Sequence, residues 1–99
     1  MKAVVVITDS EALPEFERAF VAAKTRGFTV LPAVYGCGRT GLKTGDRVHP
    51  GSSSLLFTVV PDDQLDRTLA FVRKVRDQAG VAPATKIYVA AVEEPPEAA

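Results

Sequence analysis

The 99-residue chain predicts an α+β sandwich of the ferredoxin-like class, with element order βαββαβ and a four-stranded antiparallel sheet. Three observations predict it. Four short runs of β-branched and apolar residues are bounded by turn formers. Two longer segments with apolar residues at offsets of three and four fall between the first and second runs and between the third and fourth. Pro32 lies inside the second run, which places that run at a sheet edge because proline cannot donate to a ladder.

The elements follow in order. AVVVI, residues 3 to 7, reads as a buried strand. The first helix opens with Pro14 at its first position and with Glu15 and Glu17 complementing its dipole; it buries Leu13, Phe16, Phe20 and Ala23 and ends at Gly27 as a left-handed cap. FTVLPAVY, 28 to 35, is the second strand, and LLFTVV, 55 to 60, is the third. Asp62 then reads as an N-cap of a helix that buries Leu65, Leu69, Val72 and Val75 and stops at Gly80. KIYVAAV, 86 to 92, is the last strand. One domain spans 1–94, and the tail 95–99 has little to pack and frays.

In this topology both crossovers are right-handed and both helices cover one face of the sheet. The other face is expected to be apolar too. Val4 and Val6 oppose Ala3, Val5 and Ile7; Leu56 and Val60 oppose Leu55, Phe57 and Val59; Ile87, Val89 and Ala91 oppose Tyr88, Ala90 and Val92. Strands apolar on both sides need cover on both sides, and on the order of several hundred Å2 of such surface is more than a lone chain usually leaves wet. Another subunit is the expected cover.

Composition narrows the function classes. Twelve basic against 12 acidic residues give no net charge, so nothing points to nucleic acid or to a membrane surface as a partner. No apolar run approaches the ~20 residues of a membrane span, and MKAVVVITDSE has too short an apolar stretch for a signal peptide. A single cysteine, Cys37, agrees with a reducing, cytoplasmic setting.

Between the second and third strands lie 19 residues, 36 to 54, holding five of the seven glycines. A structureless stretch of that length between hairpin strands is expected to be functional or disordered. Gly36, Gly38 and Gly41 have the spacing G-x-G-x-x-G of a dinucleotide-binding turn, but LKTGDRVHPGSSS follows, which cannot open the required helix. The glycines let backbone approach an anion closely, and Arg39 offers it a fork; turns in a solvated loop are the other use of the same residues. Arg39, Lys43 and Arg47 against Asp46 alone leave the loop with an excess of +2.

RGFTVLPAVYGCGR, 26 to 39, resembles the "GxTV…xGxGR" passage of the PII nitrogen-regulatory signalling proteins. LFTVVPDDQLD, 56 to 66, resembles their "VVPDD" helix entrance, and KIYVAAV resembles their last core strand, in the family's order over about 90 residues. The resemblance implies a homotrimer with inward-facing sheets and no enzymatic activity. It implies an adenine nucleotide (ATP, ADP or AMP) bound between subunits by Thr29, Gly36, Gly38 and Arg39, with Lys86 from the opposite side of the cleft. It further implies a loop, with Arg39, Lys43, Arg47 and His49, that docks on a transporter, enzyme or regulator of nitrogen or carbon metabolism.

There are departures. Thr40 and Gly41 replace the family's glutamine and lysine, which argues against 2-oxoglutarate and magnesium coordination. AGVAPATK, 79 to 86, keeps only Lys86 of the glycine-rich phosphate loop, and Glu93 and Glu94 stand where basic residues follow the last strand. The loop holds no tyrosine for modification. The site implied is incomplete; it favours a less charged nucleotide or holds none.

Other chemistry is thin. Cys37 and His49 are the soft metal ligands, resembling on that count the CutA-type divalent-metal trimers, but two ligands fall short of the usual four. Asp62, Asp63 and Asp66 suit a helix N-terminus, and Arg67, Arg73, Lys74 and Arg76 suit the wet face of the second helix. No Ser-His-Asp set is present, so catalytic residues are not expected.

Overall fold

A computed structural model describes residues 1–25, 27–34, 36–38, 41–43, 53–78 and 85–96, with backbone pairing alone for 36–38 and 41–43. Strand β1 (Lys2–Asp9) leads through a 3₁₀ turn, Ser10–Ala12, into helix α1 (Leu13–Ala22). Strand β2 (Thr29–Val34) follows, then the short strands β3 (Gly36–Gly38) and β4 (Gly41–Lys43) and the long strand β5 (Ser53–Val60). A second 3₁₀ turn, Asp62–Gln64, opens helix α2 (Leu65–Gln78), and strand β6 (Lys86–Ala91) comes last. The main sheet has the order β2-β5-β1-β6, antiparallel throughout. This is the ferredoxin-like arrangement that the sequence predicts, with β2 at an edge as Pro32 requires.

Strand alternation divides the sheet into two faces. Val4 and Val6 of β1 and Leu56 of β5 are fully buried. Phe16 and Phe20 of α1 and Val72 of α2 meet Val6 and Leu56 in one cluster, while Leu69 joins Val4 and Val60 in a second. Both helices therefore cover the same face. Phe20 and Phe28 pack with ring centroids 5.5 Å apart at 58°, which fastens the exit of α1 to the approach of β2.

The helix ends differ from expectation. Helix α1 stops at Ala22, and the left-handed residue after it is Lys24 (φ 57), not Gly27. Local bonds carry this turn: Lys24 N–H donates to the Val21 carbonyl (3.0 Å), and both the amide and the hydroxyl of Thr25 donate to the Phe20 carbonyl (3.4 and 3.2 Å). They offset the cost, about 1 kcal/mol, of a side chain in that conformation. Gly27 instead accepts a hydrogen bond at its carbonyl from the Thr58 hydroxyl.

Asp62 is likewise not a side-chain cap. The 3₁₀ turn occupies the leading amides itself, with Gln64 N–H donating to the Pro61 carbonyl and Leu65 N–H to the Asp62 carbonyl. The Asp62 carboxylate lies 3.0 Å from the Met1 amino group, whose hydrogen bond and charge hold that carboxyl below its ordinary pKa. The basic residues of α2 behave as expected: Arg67, Arg73 and Lys74 are exposed, and Arg76 pairs with Asp77 at 3.0 Å. Gly80 and residues 97–99 of the tail lie outside the described residues.

Polar groups on the covered face are paired. Thr8, fully buried, and Thr85, just before β6, share a 2.7 Å hydrogen bond between their hydroxyls. Thr8→Val leaves the Thr85 hydroxyl without this partner and is expected to cost about 1–3 kcal/mol in urea unfolding. The double substitution Thr8→Val with Thr85→Val is expected to recover most of that loss. Additive losses would show that the two hydroxyls do not depend on each other.

Candidate functional site

The face of the sheet away from the helices has a readable order. Antiparallel partners point the same way, so the register gives one row of Leu31, Leu55, Ile7 and Lys86 and the next of Thr29, Phe57, Val5 and Tyr88. Val59, Ala3 and Ala90 form a third. Leu31 is 51% exposed, Phe57 36% and Tyr88 53%, while Val5, Ile7, Leu55 and Val59 are half-buried. A continuous apolar surface thus faces away from both helices. The sequence predicts this two-sided character correctly.

Around one end of the sheet stand the start of β6, the end of β1 and the paired residues Val34 and Ser53, where β2 and β5 part. The register of β2 on β5 shifts between Leu31 and Val34, across Pro32 and Ala33. Ala33 is left-handed (φ 54). Its amide donates to the buried Ser54 hydroxyl at 3.4 Å, and that hydroxyl lies 2.8 Å from the Ser10 hydroxyl beyond β1. Ser54 pairs with Thr8 across the strands, and Thr8 holds Thr85. A group of hydroxyls therefore links the β2 bulge, the turn after β1 and the start of β6.

Past this root the chain forms a two-stranded ribbon, β3 with β4, pairing Gly36 with Lys43, Cys37 with Leu42, and Gly38 with Gly41. The expectation of an unstructured stretch is corrected for 36–38 and 41–43, which pair, and for Ser53 and Ser54, which belong to β5; residues 39–40 and 44–52 lie outside the described residues. Small residues permit the pairing: with glycines at 36, 38 and 41, side-chain crowding does not oppose close approach of two short strands. Gly41 opens a strand and not a helix, so the dinucleotide-turn reading is excluded on the geometry it demands.

The other expected site residues divide clearly. Thr29 is exposed on β2, at one edge of the sheet, and Lys86 is exposed on β6, at the other. Three strand spacings separate those edges, about 14 Å, and the apolar surface lies between them. Among the described residues Lys86 makes no ion pair. Gly36 and Gly38 are in β3. Arg39, Arg47 and His49 lie outside the described residues, as do the side chains of Cys37 and Lys43. Among the described residues no group of three or more His, Cys, Asp or Glu could hold a metal, and no helix is long and apolar enough to cross a membrane.

The family model "Nitrogen regulatory protein P-II" matches residues 1–95. The chain belongs to the P-II family. Among solved structures this P-II chain is similar to CPII, a nitrogen regulatory PII-like protein from Thiomonas intermedia K12. The structure of CPII bound to ADP, AMP and bicarbonate superposes with a TM-score of 0.72 at 14% identity, over 90% of this chain and 82% of that one. The structure bound to ADP and bicarbonate gives 0.71 at 15% identity, with the same coverage. A 2.3 Å structure of CPII with ADP, AMP and bicarbonate gives 0.69 at 15%, over 89% and 86%. At these identities the likeness is one of fold. No curated protein matches the chain.

Sequence reasoning missed the hydroxyl group formed by Thr8, Ser10, Ser54 and Thr85, and the left-handed Ala33. The only local signal was Ser52, Ser53 and Ser54 in succession ahead of an apolar strand. Ser54→Ala in this P-II chain is expected to lower stability by about 1 kcal/mol and to speed amide exchange at Ala33. Hydrogen-exchange mass spectrometry of residues 29–34 checks it, and unchanged exchange there would show that Ser54 does not hold the bulge.

Proposed function

We propose that this P-II family chain is a cytoplasmic nucleotide-sensing regulator, not a catalyst, that works as a homotrimer. One observation carries the reading. Thr29 and Lys86 sit on opposite edges of the sheet, with an apolar surface between them that the helices of the same chain do not cover. The resemblance puts both residues on one ligand; two chains that meet by unlike edges would set Thr29 of one beside Lys86 of the next, and the same assembly buries the apolar face. Thr29, Gly36, Gly38 and Arg39 of one subunit then meet Lys86 of the next around an adenine nucleotide. The loop that leaves this cleft, with Lys43, Arg47 and His49, docks on a transporter, enzyme or regulator.

The cations named at the cleft are Arg39 and Lys86, and Glu93 and Glu94 are exposed beyond β6. That charge suits ADP or AMP better than ATP. The similar CPII structures, which hold ADP, AMP and bicarbonate, support the ligand class.

Two experiments test the reading. Calorimetry with ATP, ADP, AMP and cyclic AMP, with and without bicarbonate, is expected to give saturable binding of ADP or AMP. Arg39→Ala or Lys86→Ala, each removing a hydrogen bond to a charged group, is expected to weaken it about 10- to 100-fold. Silence with all four nucleotides would remove the ligand. Light scattering is expected to give about three times the 10.5 kDa chain mass, and Phe57→Glu, a charge on the exposed apolar face, is expected to reduce it. A single-chain mass for the parent would remove the cleft.

A further inference from the structure

We infer that Tyr88 is the base-holding residue of the proposed cleft, an aromatic platform on which the adenine stacks while Lys86 takes the phosphate. The inference rests on the reading above and adds a residue that the sequence did not single out for binding. Lys86 and Tyr88 are two apart on β6, so their side chains leave the same face of the strand about 7 Å from each other. Both stand on the strand that ends the sheet, and both are exposed.

The cross-strand rows give the reason for choosing Tyr88. The row that starts with Thr29 at one edge ends with Tyr88 at the other. When the Thr29 edge of one subunit closes on the Lys86 edge of the next, Tyr88 is the large side chain beside Lys86 on the facing surface. The other outward side chain of this strand, at Ala90, carries no group that could grip a base. Ile87 and Val89 point to the opposite face, where they pair with Val6 and Val4.

The chemistry agrees with the place. More than half of the Tyr88 side chain is exposed at 53%, and among the described residues it has neither a hydrogen bond nor a ring contact. An aromatic ring on a rigid strand loses little entropy on binding and presents a flat face, and base stacking on such a ring contributes about 1–3 kcal/mol. A lysine two residues away supplies a point charge for phosphate. Ring and cation together match a nucleotide carrying a base at one end and phosphate at the other.

The test compares Tyr88→Phe, Tyr88→Leu and the parent in calorimetry with ADP and with inorganic pyrophosphate, alongside light scattering of each. Tyr88→Phe keeps the ring and is expected to bind ADP like the parent. Tyr88→Leu keeps an apolar side chain without the ring. It is expected to weaken ADP about 5- to 150-fold, with pyrophosphate binding and assembly mass unchanged. Equal ADP affinity in Tyr88→Leu and parent overturns the inference and leaves the cleft standing. A parallel loss of pyrophosphate, or a fall in mass, also overturns it, because Tyr88 would then act as interface cover and not on the base. A parent that binds no nucleotide overturns the cleft reading, and this inference with it.

Discussion

Everything in this molecule turns on a mismatch between the sheet and the helices. A strand sends side chains alternately to two faces, and β1 and β5 carry apolar residues on both. The two helices cover one face, where Val89 near its edge stays 43% exposed. They bury Val4, Val6, Leu56 and Val60 to at most 1% exposure, while Leu31, Phe57 and Tyr88 remain in contact with water. Each exposed methylene group of this kind forgoes about 0.8 kcal/mol that burial would contribute, so the uncovered face favours association. The proposed function depends on that unspent surface, because it is what brings unlike edges of two sheets together.

The polar end of the sheet is built on a different constraint. Buried hydroxyls must be paired, and Thr8 with Thr85 and Ser54 with Ser10 satisfy one another across segments far apart in sequence. Through these pairs the start of β6, the end of β1 and the bulge of β2 are held in fixed relation. The ribbon of β3 and β4 leaves from this end, so its root has a defined anchor. Ala33 keeps a conformation that disfavours a side chain, with its amide bonded to Ser54. The end of β2 and the start of β6, which carries Lys86, are therefore tied at the same end of the sheet by these hydroxyl pairs.

Much of the fold was legible in the sequence because it follows from periodicity. The four core strands and both helices came from apolar spacing, and the edge position of β2 came from Pro32. The misses came from local geometry. Gly27 was expected to end α1, but Thr25 could satisfy the Phe20 carbonyl earlier, so Lys24 took the left-handed position. Asp62 was expected to cap α2, but the 3₁₀ turn spent the leading amides on backbone carbonyls. The pairing of 36–38 with 41–43 is not legible in the sequence because glycine-rich segments show no strand periodicity, although glycine permits close pairing.

By itself the sequence determined which residues alternate, which segments are helical, that the sheet would be apolar on both sides, and that the glycine spacing could not open a helix. Those properties are set by neighbours a few positions apart. Only the tertiary structure decided that Thr29 and Lys86 stand at opposite edges, that Tyr88 shares a face with Lys86 and a row with Thr29, and that Thr8 meets Thr85. Strand order and register are set by long-range hydrogen bonding and burial, which no short window of sequence contains.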